Sequence, residues 1–227
     1  MKKKPILTIV SFILVAMISV LGTLAYLTDS DSVTNTFTVG QVDIALDEAD
    51  VDENGKEITG NDRVKENAYH LLPGQSYTKD PTITVQANSE ESYIRMIMTV
   101  YNASAVQSII DKHQLGDFSA LIGGWDKEVW IYEDFSEDTT ANTISFKFRY
   151  KETVGTGNNA EKLPALFETL IVPDEADGNE LKKLYDPNDD GKYDDGFKMV
   201  IAGHAIQKAG FDNADKAWEA FEKQVKN

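Results

Sequence analysis

The sequence predicts a mainly β protein, an antiparallel β-sandwich with a few helices in its connections and at its C-terminus. Three observations carry this expectation. Short segments such as "TFTV", "TITV" and "YIRMIMTV" alternate apolar and polar residues with a period of two, the mark of half-buried strands. These segments are divided by Pro, Gly and Asn turn signals at short spacing, and a helical period surfaces only briefly. The chain also has 227 residues and no cysteine, so a hydrophobic core rather than a disulfide framework must hold it together.

The N-terminus reads as an export signal. Lys2, Lys3 and Lys4 precede an uncharged apolar run from Ile6 to Leu21, and Thr23 and Ala25 supply the small pair before a cut. Residues 1–25 are therefore expected to be a signal peptide cleaved between Ala25 and Tyr26, leaving one domain over residues 26–227. The alternative is an uncleaved anchor, because extending the run to Leu27 approaches the roughly 20 residues that span a bilayer. Only Asp29 and Asp31 follow it, with no basic stop-transfer cluster. In either case the lysines stay cytoplasmic and the remainder is exported. Without those three lysines, 19 basic side chains face 38 acidic ones, a net charge of −19. Such a surface repels nucleic acid and anionic lipid, keeps the protein soluble and attracts divalent cations weakly. Membrane contact is expected only during export. With no cysteine, thiol catalysis and thiolate metal sites are excluded, and the chain suits export from a cell without a strongly oxidising periplasm.

The elements follow in order. In "TNTFTVGQVDIAL" Phe37 and Val39 alternate with threonines, and Val42, Ile44 and Leu46 resume the phase after Gly40, where a bulge or bend is predicted. Residues 47–67 are charged and poorly patterned, a long loop or weak hairpin. A turn at "LLPGQS" leads to a strand with Ile83 and Val85 inward. In "YIRMIMTV" one face is Ile94, Met96, Met98 and Val100, and the other carries Arg95, expected to be solvated. Val106, Ile109 and Ile110 fall at helical spacing after Ser104, a predicted cap. "EVWIYEDF" and "TISFKFRYKETV" predict paired strands around an acidic turn, and "GTGNN" a flexible connection. "LPALFETLIVP" and "GFKMVIAGHAIQKAGF" read as strands. "DNADKAWEAFEKQV" reads as a closing helix capped by Asp212 or Asn213, with Ala214, Ala217, Trp218 and Phe221 on one stripe.

Little of this spells catalysis. His70, His113 and His204 make no zinc-binding pair on one helix, and neither a nucleophile elbow nor a phosphate cradle is present. The sharpest motif is "DPNDDGKYDDG". Asp186, Asn188 and Asp190 alternate, Gly191 provides the sharp turn, and the Lys192 carbonyl with Asp194 or Asp195 would complete an oxygen shell for calcium. Phe197 stands where a bidentate Glu belongs, so the loop reads either as a weak calcium site or as an acidic turn before a strand. "DVDENGK", residues 50–56, echoes the spacing but reads better as a hairpin around Asn54–Gly55. No cofactor is required; calcium is the one candidate.

Three stretches together carry a family resemblance. "GTLAYLTDSDSVTNTFTVGQVDI" resembles the export signal and mature start of Gram-positive proteins processed by the SipW-type signal peptidase. "LLPGQSYTKDPTITVQANSEESYIRMIMTV" is similar to the core motif that follows in them, and "IAGHAIQKAGFDNADKAWEAF" to the end of their clostridial branch. The family is that of TasA and camelysin. The resemblance implies a jelly-roll-like sandwich, secretion to the extracellular matrix or cell surface, and assembly into biofilm fibres; the missing zinc-binding motif sets the expectation that the chain is not an enzyme. It further implies that residues 26–39 are a donor strand, with Leu27, Phe37 and Val39 among its residues, pairing with the sheet of a second copy. Pairing within its own domain is the alternative. The partners implied are other copies of the chain, an accessory matrix protein and the SipW-type peptidase. Two further readings stay open: an exported metal-dependent peptidase of the camelysin kind, and a monomeric calcium-tuned binding module.

Overall fold

The structure, a computed structural model, describes residues 41–191 and 196–225. Ten strands are present among them: β1 (Ile44–Asp47), β2 (Ser76–Thr78), β3 (Thr82–Val85), β4 (Ser92–Tyr101), β5 (Ile122–Gly123), β6 (Trp130–Asp138), β7 (Thr143–Val154), β8 (Glu161–Lys162), β9 (Thr169–Ile171) and β10 (Met199–Gln207). The helices are α1 (Ala103–Lys112), α2 (Gly178–Tyr185) and α3 (Ala214–Val225), with a 3-10 turn at Phe118–Leu121. The strands form three sheets, ordered β10-β4-β7-β6, β1-β3-β8 and β2-β9-β5, and every pairing is antiparallel. The mainly β, antiparallel class expected from the alternation is the class the chain adopts.

Alternation fixes the packing of the four-stranded sheet. Ile94, Met96, Met98 and Val100 of β4 are almost wholly buried, and in register with them lie Phe148, Phe146 and Ile144 of β7 and Ala205, Gly203, Ile201 and Met199 of β10. This inner face meets Ile83 and Val85 of β3, both fully buried, with Ile44 and Leu46 of β1 at the margin of the same core. The two helices in the connections add Val106, Ile109 and Ile110 from α1 and Leu181 and Leu184 from α2. The opposite face of the sheet is covered in part by α3, whose Ala217 and Trp218 form a small second cluster with Ile206, flanked by Tyr93 and Phe221.

Local chemistry explains most boundaries. The "DENG" turn closes because Asp52 Oδ1 accepts from the backbone N–H groups of Asn54 and Lys56 at 2.9 and 3.0 Å. Gly55 there has φ 72°, and a Cβ on it would lie 2.5 Å from Tyr77, so no other residue fits. The hairpin reading of that segment therefore holds. Asn213 caps α3 by accepting from Lys216 N at 3.0 Å, one of the two predicted candidates.

Two expectations fail. Ser104 is not a cap: α1 starts at Ala103 and its cap residue is Asn102, at φ 53°, without a capping side-chain bond. The Asn102 carboxamide instead donates to the carbonyls of Lys183 and Leu184, tying α1 to the end of α2. Nor is "LPALFETLIVP" a continuous strand; only Thr169–Ile171 is strand, while Leu163, Leu166 and Phe167 are buried in the irregular segment before it, tied to the β3 region by Leu163 N donating to the Ile83 carbonyl at 2.9 Å.

Candidate functional site

β6 is the last strand of the four-stranded sheet and pairs only with β7 among the described strands. It is nine residues long, and every residue from Tyr132 to Asp138 is exposed. An edge of that length leaves a row of backbone N–H and C=O groups open to a further strand. The sequence makes the edge irregular. Pairing with β7 shifts register between Tyr132 and Asp134, so that Phe135 lies opposite Phe146 and returns to the inner face shared by Trp130 and Tyr132. The other side of the strand carries Asp134, Ser136 and Asp138, with Glu133 at the register shift ion-paired to Arg149 at 3.3 Å, while Glu137 stands in the inner row and lines the cleft beside it.

Along this edge the inner face is only half covered. Trp130 is fully buried and its indole N–H donates to the Pro164 carbonyl at 3.0 Å. Further out, Tyr132 and Phe135 are 42% and 50% exposed. They line a cleft of about 480 Å³ with Phe118, Trp125, Phe146 and Phe148. The rings are already arranged edge to face: Trp125 and Phe148 lie 5.3 Å apart at 83°, Tyr132 and Phe148 5.9 Å apart at 61°. Lys127 Nζ sits 5.0 Å from the Trp125 ring at the rim. An aromatic trough with a polar rim, beside a backbone edge that is unpaired among the described strands, can receive one extended segment, by backbone pairing along β6 and by side chains set into the trough.

The other face of the sheet carries a charged cluster that periodicity did not reveal. Arg95 is 3% exposed, not solvated, because α3 folds back over it. Its guanidinium lies 4.2 Å from the Trp218 ring and 5.2 Å from that of Phe221, and it bonds Glu222 at 3.3 Å. Arg95 Nε also donates to His204 Nδ1 at 3.3 Å, while the His204 ring stacks on Phe221 at 4.8 Å. Burial pushes the Arg95 guanidinium below its ordinary value, against the pull of Glu222. Burial, and then the Arg95 charge, push the His204 imidazole down. On β6, burial pushes the Glu133 carboxyl up, opposed by Arg149, Lys147 and Arg95.

The predicted site residues are scattered. Ala25, Tyr26, Leu27, Phe37 and Val39 lie outside the described residues, as do Lys192, Asp194 and Asp195 of the calcium motif. Asp186 is buried, and its two carboxylate oxygens accept from Asp190 N at 3.0 Å and Gly191 N at 3.1 Å, so its oxygens organise the turn itself. Asp189, beside Asn188, pairs with Lys182. Among the described residues no three His, Cys, Asp or Glu side chains group as metal ligands would. The histidines stand apart in kind: His70 is exposed in the loop before β2, His113 contacts Glu180 at 3.1 Å at the α1–α2 junction, and His204 lies under α3. No described helix is long and apolar enough to cross a membrane.

The chain matches no protein-family model, no curated protein and no solved structure.

Proposed function

We propose that the protein is a secreted structural protein, a subunit of extracellular biofilm matrix fibres that assembles by strand complementation. Residues 27–39 of one copy add to the β6 edge of the next, with Phe37 and Val39 set into the aromatic cleft. The observation that carries the reading is the coincidence of a nine-residue edge, unpaired on its outer side among the described strands, with a half-covered trough of aromatic rings beside it. Charge supports the choice of occupant. The edge is acidic, and residues 32–42 of the chain carry no charge at all while alternating in the way a strand requires. Within the donor, the threonine-rich residues 32–39 that follow Asp29 and Asp31 are uncharged and pair with such an edge without repulsion, and Phe37 and Val39, two residues apart, fall on one face.

Export precedes assembly in this reading. A SipW-type signal peptidase cutting between Ala25 and Tyr26 frees the donor outside the cell, so fibres form in the matrix or on the cell surface and not in the cytoplasm. The resemblance of residues 22–44 and 71–100 to TasA and camelysin points the same way. The test is electron microscopy of the chain beginning at Tyr26 beside one beginning at Gly40, both concentrated. Filaments from the first alone are expected. Filaments from both would remove the donor role of residues 26–39, and monomers from both would remove self-assembly.

A further inference from the structure

The loop between β1 and β2, and the link between β2 and β3, bring a carboxylate, a carboxamide and an amine together beneath the surface. Glu48 and Lys79 are 6% and 7% exposed. Lys79 Nζ donates to Glu48 Oε2 at 2.7 Å, and Asn67 Nδ2 donates to Glu48 Oε1 at 3.0 Å. One carboxylate thus bridges a buried nucleophile and the leaving nitrogen of an amide. The surroundings hold all three in place. Asn67 Nδ2 also donates to the Ala49 carbonyl at 2.8 Å, and its Oδ1 accepts from Val51 N at 3.1 Å, which polarises the amide carbonyl. The Tyr69 ring lies 5.8 Å from Lys79 Nζ, and its hydroxyl is tied to the Thr78 carbonyl. Arg63 clamps Asp47 and Asp80 on the flanking backbone, and Asp80 accepts from Ala49 N at 2.7 Å.

We propose that this is a self-processing site, at which Lys79 and Asn67 join in an isopeptide cross-link with Glu48 as the proton carrier. A proton moves along the 2.7 Å bond from Nζ to Glu48 Oε2 and leaves a neutral amine. Nζ then attacks Asn67 Cγ, forming the new C–N bond. Glu48 delivers its proton to Nδ2, the Cγ–Nδ2 bond breaks, and ammonia departs. Lys79 gives up two protons in all; the second stays on Glu48 or leaves with the ammonia as ammonium. No oxidant or external reactant is needed. A cavity of about 430 Å³ lined by Asp47, Glu48, Asn67 and Lys79 gives the ammonia an exit. Fixed geometry is what such a reaction requires, since it replaces an encounter by a near-attack arrangement. The chain has no cysteine, so an amide is the covalent staple its chemistry allows. The reaction is intramolecular and independent of assembly.

The test is the intact mass of the purified protein together with a peptide map. The wild-type chain is expected to be lighter than its sequence by one ammonia. Cleavage after Tyr69 and Tyr77, which lie between the two residues, should leave the pieces bearing Asn67 and Lys79 joined. Lys79→Arg and Asn67→Ala should restore full mass and separate the pieces, and Glu48→Gln should slow the link by at least about a hundredfold. A wild-type chain of full mass that unfolds cooperatively overturns the proposal, whatever the variants do. An ammonia loss that persists in Lys79→Arg, with unjoined pieces, marks a succinimide at Asn67 and overturns it equally.

Discussion

Phe135→Ser is the substitution that bears most directly on assembly at β6. Phe135 is 50% exposed, so about half of its ring remains for a docking strand to cover. An aromatic side chain buries about 150–250 Å² in full, and half of that is about 100 Å². At about 25 cal/mol per Å², the covered half contributes about 2.5 kcal/mol to each subunit contact. The critical concentration for filament formation should then rise roughly sixtyfold, at about 1.4 kcal/mol per tenfold. The monomer should stay folded but soften, because the buried half of the ring contributes about 2.5 kcal/mol to folding by the same coefficient, or roughly 5–10 °C in Tm. Ile58→Ser is the matched control: Ile58 is 41% exposed and lies outside the cleft. Pelleting against total concentration measures all three proteins. A folded Phe135→Ser protein with the wild-type critical concentration would show that the cleft takes no part in assembly.

Other perturbations test the parts that hold the site. Trp218→Ala removes the ring platform over Arg95 and part of the small second cluster, at a cost of about 3 kcal/mol; Tm should fall by roughly 6–12 °C, with helical signal lost first. His204 is held below its ordinary value of 6.5 in the folded chain, so the unfolded chain takes its proton first. Its stabilising contribution is therefore complete above pH 6.5 and is lost as pH falls through and below that value, by up to about 1.4 kcal/mol per pH unit. Melting from pH 7.5 to 5.5 should show this slope, and His204→Gln should flatten it. Asp186→Ala removes the acceptor for two backbone N–H groups and should cost about 1–2 kcal/mol equally in chelator and in calcium. A loss seen only with calcium would place the ion in that loop.

Strands with one buried face were legible in the sequence, because alternation is a direct consequence of the pleat. Ile83, Val85, Met96 and Met98 are inward as their phase requires. Alternation assigns a side chain to a face but says nothing of what lies over that face. Arg95 was expected in water, and only a helix more than a hundred residues later in the chain makes it buried. The same gap hid the aromatic cleft. Tyr132 and Phe135 look like core residues in the sequence, and Phe135 is moved onto the inner face only by a register shift no local pattern announces. Glu48 and Asn67 lie in a segment read as a loop and Lys79 in one read as a strand, and no local period brings the three together. The Asp186 motif shows the converse: the spacing of acids was plain, but an Asx-type turn uses the same residues as a cation loop.

The composition of β6 argues that its edge is selective. A long unpaired strand is a hazard for any exported protein, and natural edges are blunted with charge and bulges. β6 carries both, with acidic side chains at Glu133, Asp134, Glu137 and Asp138 and a register shift in its middle. Two copies of β6 brought edge to edge would set these carboxylates against one another, so the dimer that an open edge most readily forms is disfavoured. The same charges do not disfavour an uncharged strand, and of the four only Glu137 reaches the aromatic trough, at its end. The residues that protect the edge from itself therefore also define what it accepts: an extended segment free of acids, with apolar side chains two residues apart. Residues 33–39 meet both conditions. In the proposed assembly donor and acceptor lie in different parts of the chain, so each copy would offer both, and a head-to-tail contact between them would propagate into a filament without closing on a two-fold axis.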